Sequence, residues 1–399
     1  MYKWNPVFNL IMEIKEDYTA KFGNDNLDFK SWLEKLNIEK YNEFFECLQI
    51  NQHHEFILIR YGIAEMQKSM WTDKDSPYRE CRSVVIDLEK EELVTCGFRK
   101  FFNLNEVEEN MLEAVTDKIK TATVFEVADK LDGSMQNARW YNNSVFMTGS
   151  MALDEKESWR LENGKSLLTE SYNCMMEDYK YLTFTFEYIS DKNPHVVSYT
   201  SEDEGLYLIG ARSVLNGYQL TYKEIREIAS NYDGVKIVEI ENKTLDELLE
   251  LMKNLSANQK EGWVINVDNH LIKIKCDDYV NIHRILDRVA SVNVVIESIA
   301  DGYYDDLLSK VPENYRDRVE VISDKVFEYT NTMNHLINKY YKQAPKDDKK
   351  NFMVWVNSNV PKQAQPYVRN KYLNKPYNLL KAGKDGYKKI NALELEWVK

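Results

Sequence analysis

Between His54 and Lys275 the chain alternates short β-branched and aromatic runs with turn signals, and from Asp278 onward that alternation stops. No other feature restricts the possible fold as much. HEFILIRY (His54–Tyr61), SVVIDL (Ser83–Leu88), ELVTCGFRKFFNL (Glu92–Leu104), YLTFTFEYI (Tyr181–Ile189) and VKIVEI (Val235–Ile240) are strand-like. Side chains of those types suit a pleated, half-buried surface. Hairpins are expected at NARWY–SVFMTGS across Asn142-Asn143, at GLYLIGARSV–GYQLTY around Leu215-Asn216-Gly217, and at GWVINV–DNH–LIKIK. Helices are expected in the first fifty residues, where Phe8, Ile11, Met12 and Ile14 share a face, and over 166–179, 222–231 and 244–254. The polar segment between Tyr61 and Glu80 reads as a loop. Strands and helices mix without regular βαβ alternation, so the body is expected to be α+β, with mixed antiparallel sheets and helices.

Beyond Asp278, Val319, Ile322, Val326, Tyr329, Met333, Leu336 and Tyr340 step by three and four. That spacing predicts one long amphipathic helix opened by Pro312. Two domains follow: 1–279, mixed, and 280–399, all-helical. No apolar run approaches a membrane span, and the N-terminus lacks a basic segment followed by an apolar one, so no membrane association is expected. Five scattered cysteines and six dispersed histidines form no paired or zinc-ligand spacing, which points to reduced thiols in an intracellular, cytoplasmic protein.

Net charge divides the chain the same way. The total is −13, but residues 339–399 carry 14 Lys/Arg against 5 Asp/Glu, a surplus of +9 that leaves −22 for residues 1–338. A basic end on an acidic body suits a protein that holds phosphates locally; a solvated helical surface would carry the same charges. Lys362, Arg369, Lys371, Lys375, Lys381, Lys384, Lys388 and Lys389 are the candidate phosphate contacts, with Tyr367, Tyr372 and Tyr377 as candidate stacking partners for bases.

The chemistry centres on TATVFEVADKLDGS. A strand from Thr121 to Val127 would deliver Lys130 to a turn at Asp132-Gly133. A lysine at such a strand end is a nucleophile only if burial or a second cation lowers its pKa; otherwise it is a solvated turn residue. Lys273 and Lys275, two apart on a strand, project to one face. There they either share an anion or guard an exposed edge. Glu187 alternates with Phe184, Phe186 and Tyr188 and faces away from them. Arg60, by the same alternation, lies on the face opposite Tyr61 and away from any pocket that Tyr61 lines.

ECRS (Glu80–Ser83), RKFFNLNE (Arg99–Glu106), KLDGS, FEYI, EGW (Glu261–Trp263) and KIK occur in one order. Together they resemble the T-even phage RNA ligase 1 family of covalent nucleotidyltransferases over roughly residues 54–280. DNA-ligase-like and capping-type relatives share the lysine but append a β-barrel, and a non-catalytic RNA-binding relative is the other class left open. The resemblance implies an ATP-dependent RNA ligase with a role in repair, acting through lysyl-AMP at Lys130. It implies Mg²⁺ or Mn²⁺, and RNA as partner, including tRNA with a broken loop, with a monomer favoured and a virus-encoded protein in a host cell included. Glu187, Lys273 and Lys275 would join Lys130 in catalysis. Tyr61, Arg82, Lys100, Asp132, Gly133, Glu261 and Gly262 would bind nucleotide, and Tyr279 would support the site. ADGYYDDL (Ala300–Leu307) is similar to the family's metal-binding segment, so Asp305 would ligate the metal; a helix-dipole role for Asp305 and Asp306 remains the alternative. Lys273 and Lys275 would also promote loss of the Lys130 proton by like-charge repulsion. One departure stands out: where the family has a basic residue before Gly149-Ser150, this chain has Thr148.

Overall fold

Three sheets, each built from runs of alternating burial, carry the residues singled out above. The structure, a computed structural model, describes residues 2–23, 27–62, 70, 73–192, 196–289, 292–302, 304–309, 311 and 313–380. The chain divides into two compact units, Met1–Tyr279 and Val280–Lys399.

In the first unit a helix over Pro6–Phe22 opens where Asn5 caps the N–H groups of Val7 and Phe8, with Pro6 in its first turn. It buries Val7, Phe8, Ile11, Ile14 and Tyr18. Helices Phe29–Leu36 and Glu39–Glu46 complete the predicted helical start. Strands β1 (Leu48–His53), β2 (Phe56–Tyr61), β3 (Arg82–Asp87) and β4 (Glu92–Thr95) form an antiparallel meander packed against these helices. β1 begins inside the stretch read as helical, at Leu48. The run Glu92–Leu104 is not one strand: it breaks after Thr95, where the N–H of Cys96 bonds the Thr183 hydroxyl at 3.0 Å.

The other two sheets are five-stranded. One has the order β12-β6-β13-β14-β5, from Ile240–Glu241, Phe125–Asp129, Gly262–Val267, His270–Lys275 and Phe102–Asn103. The other has the order β11-β10-β9-β7-β8, from Lys236–Ile237, Gly205–Ser213, Leu182–Ile189, Ser134–Tyr141 and Ser144–Thr148. The turns Asn142-Asn143 and Asp268-Asn269 have positive φ at both residues, which matches the twist of two-residue hairpins. Around Leu215-Asn216-Gly217 only a single bridge, Arg212 to Gln219, forms. The run Val235–Ile240 is divided between the two sheets, because the N–H of Val238 bonds Leu208 while the carbonyl of Glu239 accepts from Asp129. The strand before Lys130 starts at Phe125, since Thr121 closes a helix over Leu112–Thr121. Residues 166–179 hold the end of one helix, Trp159–Ser166, and a second, Glu170–Asp178.

The regular secondary structure of the second unit's described residues is all helical, and its long helix is Glu313–Gln343. Val319, Ile322, Val326, Tyr329 and Met333 form its buried stripe, as the spacing predicts; Pro312 lies outside the described residues.

Candidate active site

Lys130 stands where the chain leaves one five-stranded sheet at the end of β6 and enters the other through β7. Its backbone N–H donates to Gly262 O at 3.0 Å, tying the turn to β13. Gly133 follows because nothing larger fits: a Cβ there would lie 2.5 Å from Tyr188 O and 2.9 Å from Glu187 Cγ. Gly262 has φ +147°, and a Cβ on it would strike Ile274 O at 2.0 Å.

Both sheets and the meander aim side chains at the lysine. Lys130 Nζ lies 2.7 Å from Glu261 Oε2, and Lys275 Nζ lies 2.9 Å from Glu261 Oε1. Glu261, 3% exposed, thus bridges two ammonium groups. Glu187 accepts the Gly133 N–H at 3.1 Å, on the face opposite the buried Phe184, Phe186 and Tyr188. Lys273 Nζ sits over the Phe101 ring at 4.6 Å, and the Arg82 guanidinium over the same ring at 5.0 Å. Arg82 Nη1 is buried with no hydrogen-bond partner among the described residues. Lys130, Arg82, Lys273, Lys275 and Glu187 line one cavity, whose apolar wall is Phe98, Phe101, Ile209, Tyr222, Val238 and Val264.

Electrostatics set the resting state. Burial raises the Glu187 carboxyl to about 7; Lys130 opposes the shift and Glu261 adds to it. Burial alone would raise Glu261 too, but Lys130 and Lys275 hold it below the usual carboxylate range. Burial would lower the Lys130 ammonium, yet Glu261 and Glu187 outweigh it and the pKa rises. The repulsion expected from Lys273 and Lys275 is therefore outweighed by the carboxylates, and the net shift opposes loss of the Lys130 proton. It is Lys273 that falls well below its ordinary value, through burial and then Arg82, Lys130, Lys100 and Lys275.

Other expected residues lie around this cavity rather than in it. Asp132 accepts from the N–H groups of Val196 and Val197 at 2.9 and 3.1 Å and from the Tyr279 hydroxyl at 2.9 Å. It fixes the turn behind the nucleophile. Tyr61 underlies Lys100, whose Nζ is 4.7 Å from its ring, and Lys100 lines a neighbouring cavity. Asp305 is exposed on a short helix, Tyr304–Ser309, of the second unit. No group of three potential metal-ligating His, Cys, Asp or Glu side chains exists among the described residues. Arg60 departs from expectation. A bulge at Ser83, φ +60°, shifts the β2–β3 register so that Arg60 stands opposite Arg82, on the same face of the sheet. Thr148 is fully buried, while Gly149 and Ser150 line a further cavity with Gly133, Ser134 and Arg160.

Sequence reasoning missed the apolar wall and Tyr199, whose hydroxyl accepts the Asp132 N–H at 2.9 Å. Phe101 was at least visible within RKFFNLNE; Ile209, Tyr222 and Val238 are ordinary core types with no chemical signature.

Residues 80–279 match the family described as RNA ligase, of the T4 RNA ligase 1 type. A bifunctional polynucleotide kinase/RNA ligase of Autographa californica nuclear polyhedrosis virus is 23% identical over 296 residues, covering 70% of this chain and 39% of that protein. The chain thus spans about two fifths of the length of that curated relative. A structure of Naegleria gruberi RNA ligase with PPi is 18% identical with a TM-score of 0.37, covering 47% of this chain and 58% of that one. A mutant of the same ligase with AMP and Mn gives the same identity, 18%, TM-score, 0.37, and coverages, 47% and 58%.

Proposed function

This chain belongs to the T-even phage RNA ligase 1 family, and from that premise we propose that it is an ATP-dependent RNA ligase. The observation that carries the proposal is the cavity at Lys130. An amine on a sheet-to-sheet turn faces Arg82, Lys273 and Lys275, with a buried guanidinium nitrogen left without a partner among the described residues. Three cations beside a nucleophile and an apolar slot suit a nucleotide, whose base fills the slot and whose phosphates meet the cations.

Lys130 Nζ attacks the α-phosphorus of ATP, forming a P–N bond as the P–O bond to pyrophosphate breaks. Lys275 and Lys273 take up charge on the α-phosphate, and Arg82 steadies the phosphates. As Lys275 turns to phosphate, Glu261 stays with Lys130 and receives its proton. An RNA 5′-phosphate oxygen then displaces the lysine, and a 3′-hydroxyl displaces AMP to close the phosphodiester. Mg²⁺ or Mn²⁺ would be held by Glu187 and the phosphates, since Mg²⁺ takes only one or two carboxylates and keeps several waters; it would neutralise developing charge. Asp305 is proposed as a further metal ligand on its sequence context. The RNA end is placed in the cavity between Gly133, Gly149 and Arg160, where Arg160 supplies a cation that Thr148 cannot. RNA repair, including of tRNA, is the proposed role, with residues 280–399 as the RNA-binding domain.

Labelled ATP with Mg²⁺ should leave covalent label on the protein, discharged by 5′-phosphorylated RNA. GTP and DNA ends should substitute poorly. No label, with an active ligase run in parallel, would overturn the proposal.

A further inference from the structure

Asp129 and Lys260 immediately precede Lys130 and Glu261, and they form an ion pair of their own, with Lys260 Nζ 3.1 Å from Asp129 Oδ1. The Lys130–Glu261 and Asp129–Lys260 pairs thus both tie the end of β6 to the residues that enter β13. Their signs alternate along each segment. A slip of one residue would set Lys130 against Lys260 or Asp129 against Glu261, and like charges placed opposite are destabilising. The second pair is anchored on a third strand. Lys260 Nζ also lies 2.6 Å from Glu241 Oε1 at the end of β12, and the Trp263 indole N–H donates to the same oxygen at 2.9 Å. Lys243 bonds the other Glu241 oxygen. The Lys260 ammonium sits over the Trp263 ring, 5.1 Å from its centroid. Burial would lower this ammonium, but Asp129 and Glu241 outweigh it and the pKa rises. Burial, reinforced by Glu241 and Glu239, raises the Asp129 carboxyl, and Lys260 opposes that shift.

In lysyl-AMP the P–N bond takes the place of the ammonium charge, so Glu261 loses its hold on Lys130. The Asp129–Lys260 pair is untouched by that change. We propose that Lys260 is a positioning residue for the nucleophile: by holding Asp129 it keeps Lys130 in register with Glu261 and Gly262, both before and after the lysine carries AMP. Asp129 borders the Lys130 cavity, and Lys260 acts through it. The contact preserved is the backbone bond from the Lys130 N–H to Gly262 O, 3.0 Å. Displacing a reacting group by about 1 Å costs up to about 100-fold in rate. This role rests on the ligase reading.

Three variants of the full chain test it, with melting curves as the folding control. Lys260→Met removes the charge and keeps the length, and Lys260→Arg keeps the charge. The double change, Lys260→Met with Asp129→Asn, leaves no carboxylate unpaired, since Glu241 retains Lys243 and Trp263. Two rates are measured on each: lysyl-AMP formation at saturating ATP, and sealing of RNA adenylylated beforehand, which needs no enzyme nucleophile. The ratio of the first to the second should fall by about tenfold or more in Lys260→Met and in the double variant. Lys260→Arg should recover most of that loss. Lost folding stability alone lowers both rates together and leaves the ratio where it was. If Lys260→Met does not fold, the double variant carries the test. A wild-type ratio in a folded Met or double variant, or an Arg variant no better than Met, would make the pair a structural brace and overturn the proposal. The ligase reading fails separately, by absence of covalent label from ATP on the unaltered chain.

Discussion

Lys130 rests as an ammonium pinned by Glu261, so its reactivity depends on what loosens that pair. Lys130→Ala should give no adenylylated protein yet still seal RNA adenylylated beforehand, because the last step needs no enzyme nucleophile. Label on the Ala variant would displace the lysine from this role. Glu261→Gln removes the strongest influence raising the Lys130 pKa. Only the free amine attacks, so the rising limb of the single-turnover pH–rate profile should move to lower pH, whatever happens to the plateau. An unmoved limb would mean that Glu261 does not govern the proton. Glu187 makes an opposite kind of prediction. Its carboxyl is raised from an ordinary 4.5 to about 7, so between those pH values the folded state binds the extra proton and stability falls as pH rises. Glu187→Gln should therefore be relatively more stable at pH 8 than at pH 5, by at most roughly 3 kcal/mol, while losing activity. Denaturant melts at the two pH values giving equal differences from wild type would refute this. Lys275→Ala should lower adenylylation by on the order of 3–4 kcal/mol of barrier, far more than Lys223→Ala, whose side chain is 80% exposed. Arg60 is no longer a suitable control, since it faces Arg82. At this scale Lys130, Glu187, Glu261, Lys273 and Lys275 were legible through the order of the short motifs that resemble the family, since spacing alone left a solvated turn and a guarded edge open. Tyr199 was not, because its role arises only when the segment after Val197 folds back on the Lys130 turn.

The element that makes the site is the β6–turn–β7 passage between sheets, and its geometry rests on Gly133. Gly133→Ala would press a methyl group against the Tyr188 carbonyl, a backbone atom that cannot swing aside. Adenylylation should fall at least tenfold with the protein still folded, as circular dichroism would check. Wild-type labelling would mean the turn has slack. Strand alternation and the Asn142-Asn143 and Asp268-Asn269 turns were readable, since period and turn chemistry are local. The division of Val235–Ile240 between two sheets was not. Two-residue strands are set by which neighbour supplies hydrogen bonds, Leu208 or Asp129, and that choice is tertiary. The bulge at Ser83 is hidden for the same reason: nothing in ECRS announces a residue with positive φ.

At the scale of the whole molecule, the charge asymmetry asks whether residues 339–399 grip RNA. The helical period was legible there, but the proposed stacking tyrosines are otherwise employed. Tyr372 stacks on Phe352 with ring centroids 3.9 Å apart, and Tyr367 packs on Tyr377 at 5.5 Å. These rings belong to the core of the second unit, so affinity should come from charge rather than stacking. Lys381, Lys384, Lys388 and Lys389 lie outside the described residues. Among those described, Lys371 bonds Asn338 and Arg369 bonds Asn357 and Gln365, whereas Lys346, Lys349, Lys362 and Lys375 are exposed. Changing these four to Gln together should spare lysyl-AMP formation, whose nucleophile and proposed nucleotide contacts lie in Met1–Tyr279, and weaken the RNA steps. Each lost phosphate contact on a single strand removes about 0.7 from the slope of log K against log salt. Four contacts would therefore flatten it by about 3, measured on a hairpin with a nicked loop and on a plain strand. A folded variant with wild-type slope on both RNAs would make these lysines a solvated face. RNA affinity would then have to come from the adenylation unit, where the Arg160 cavity is the first place to look.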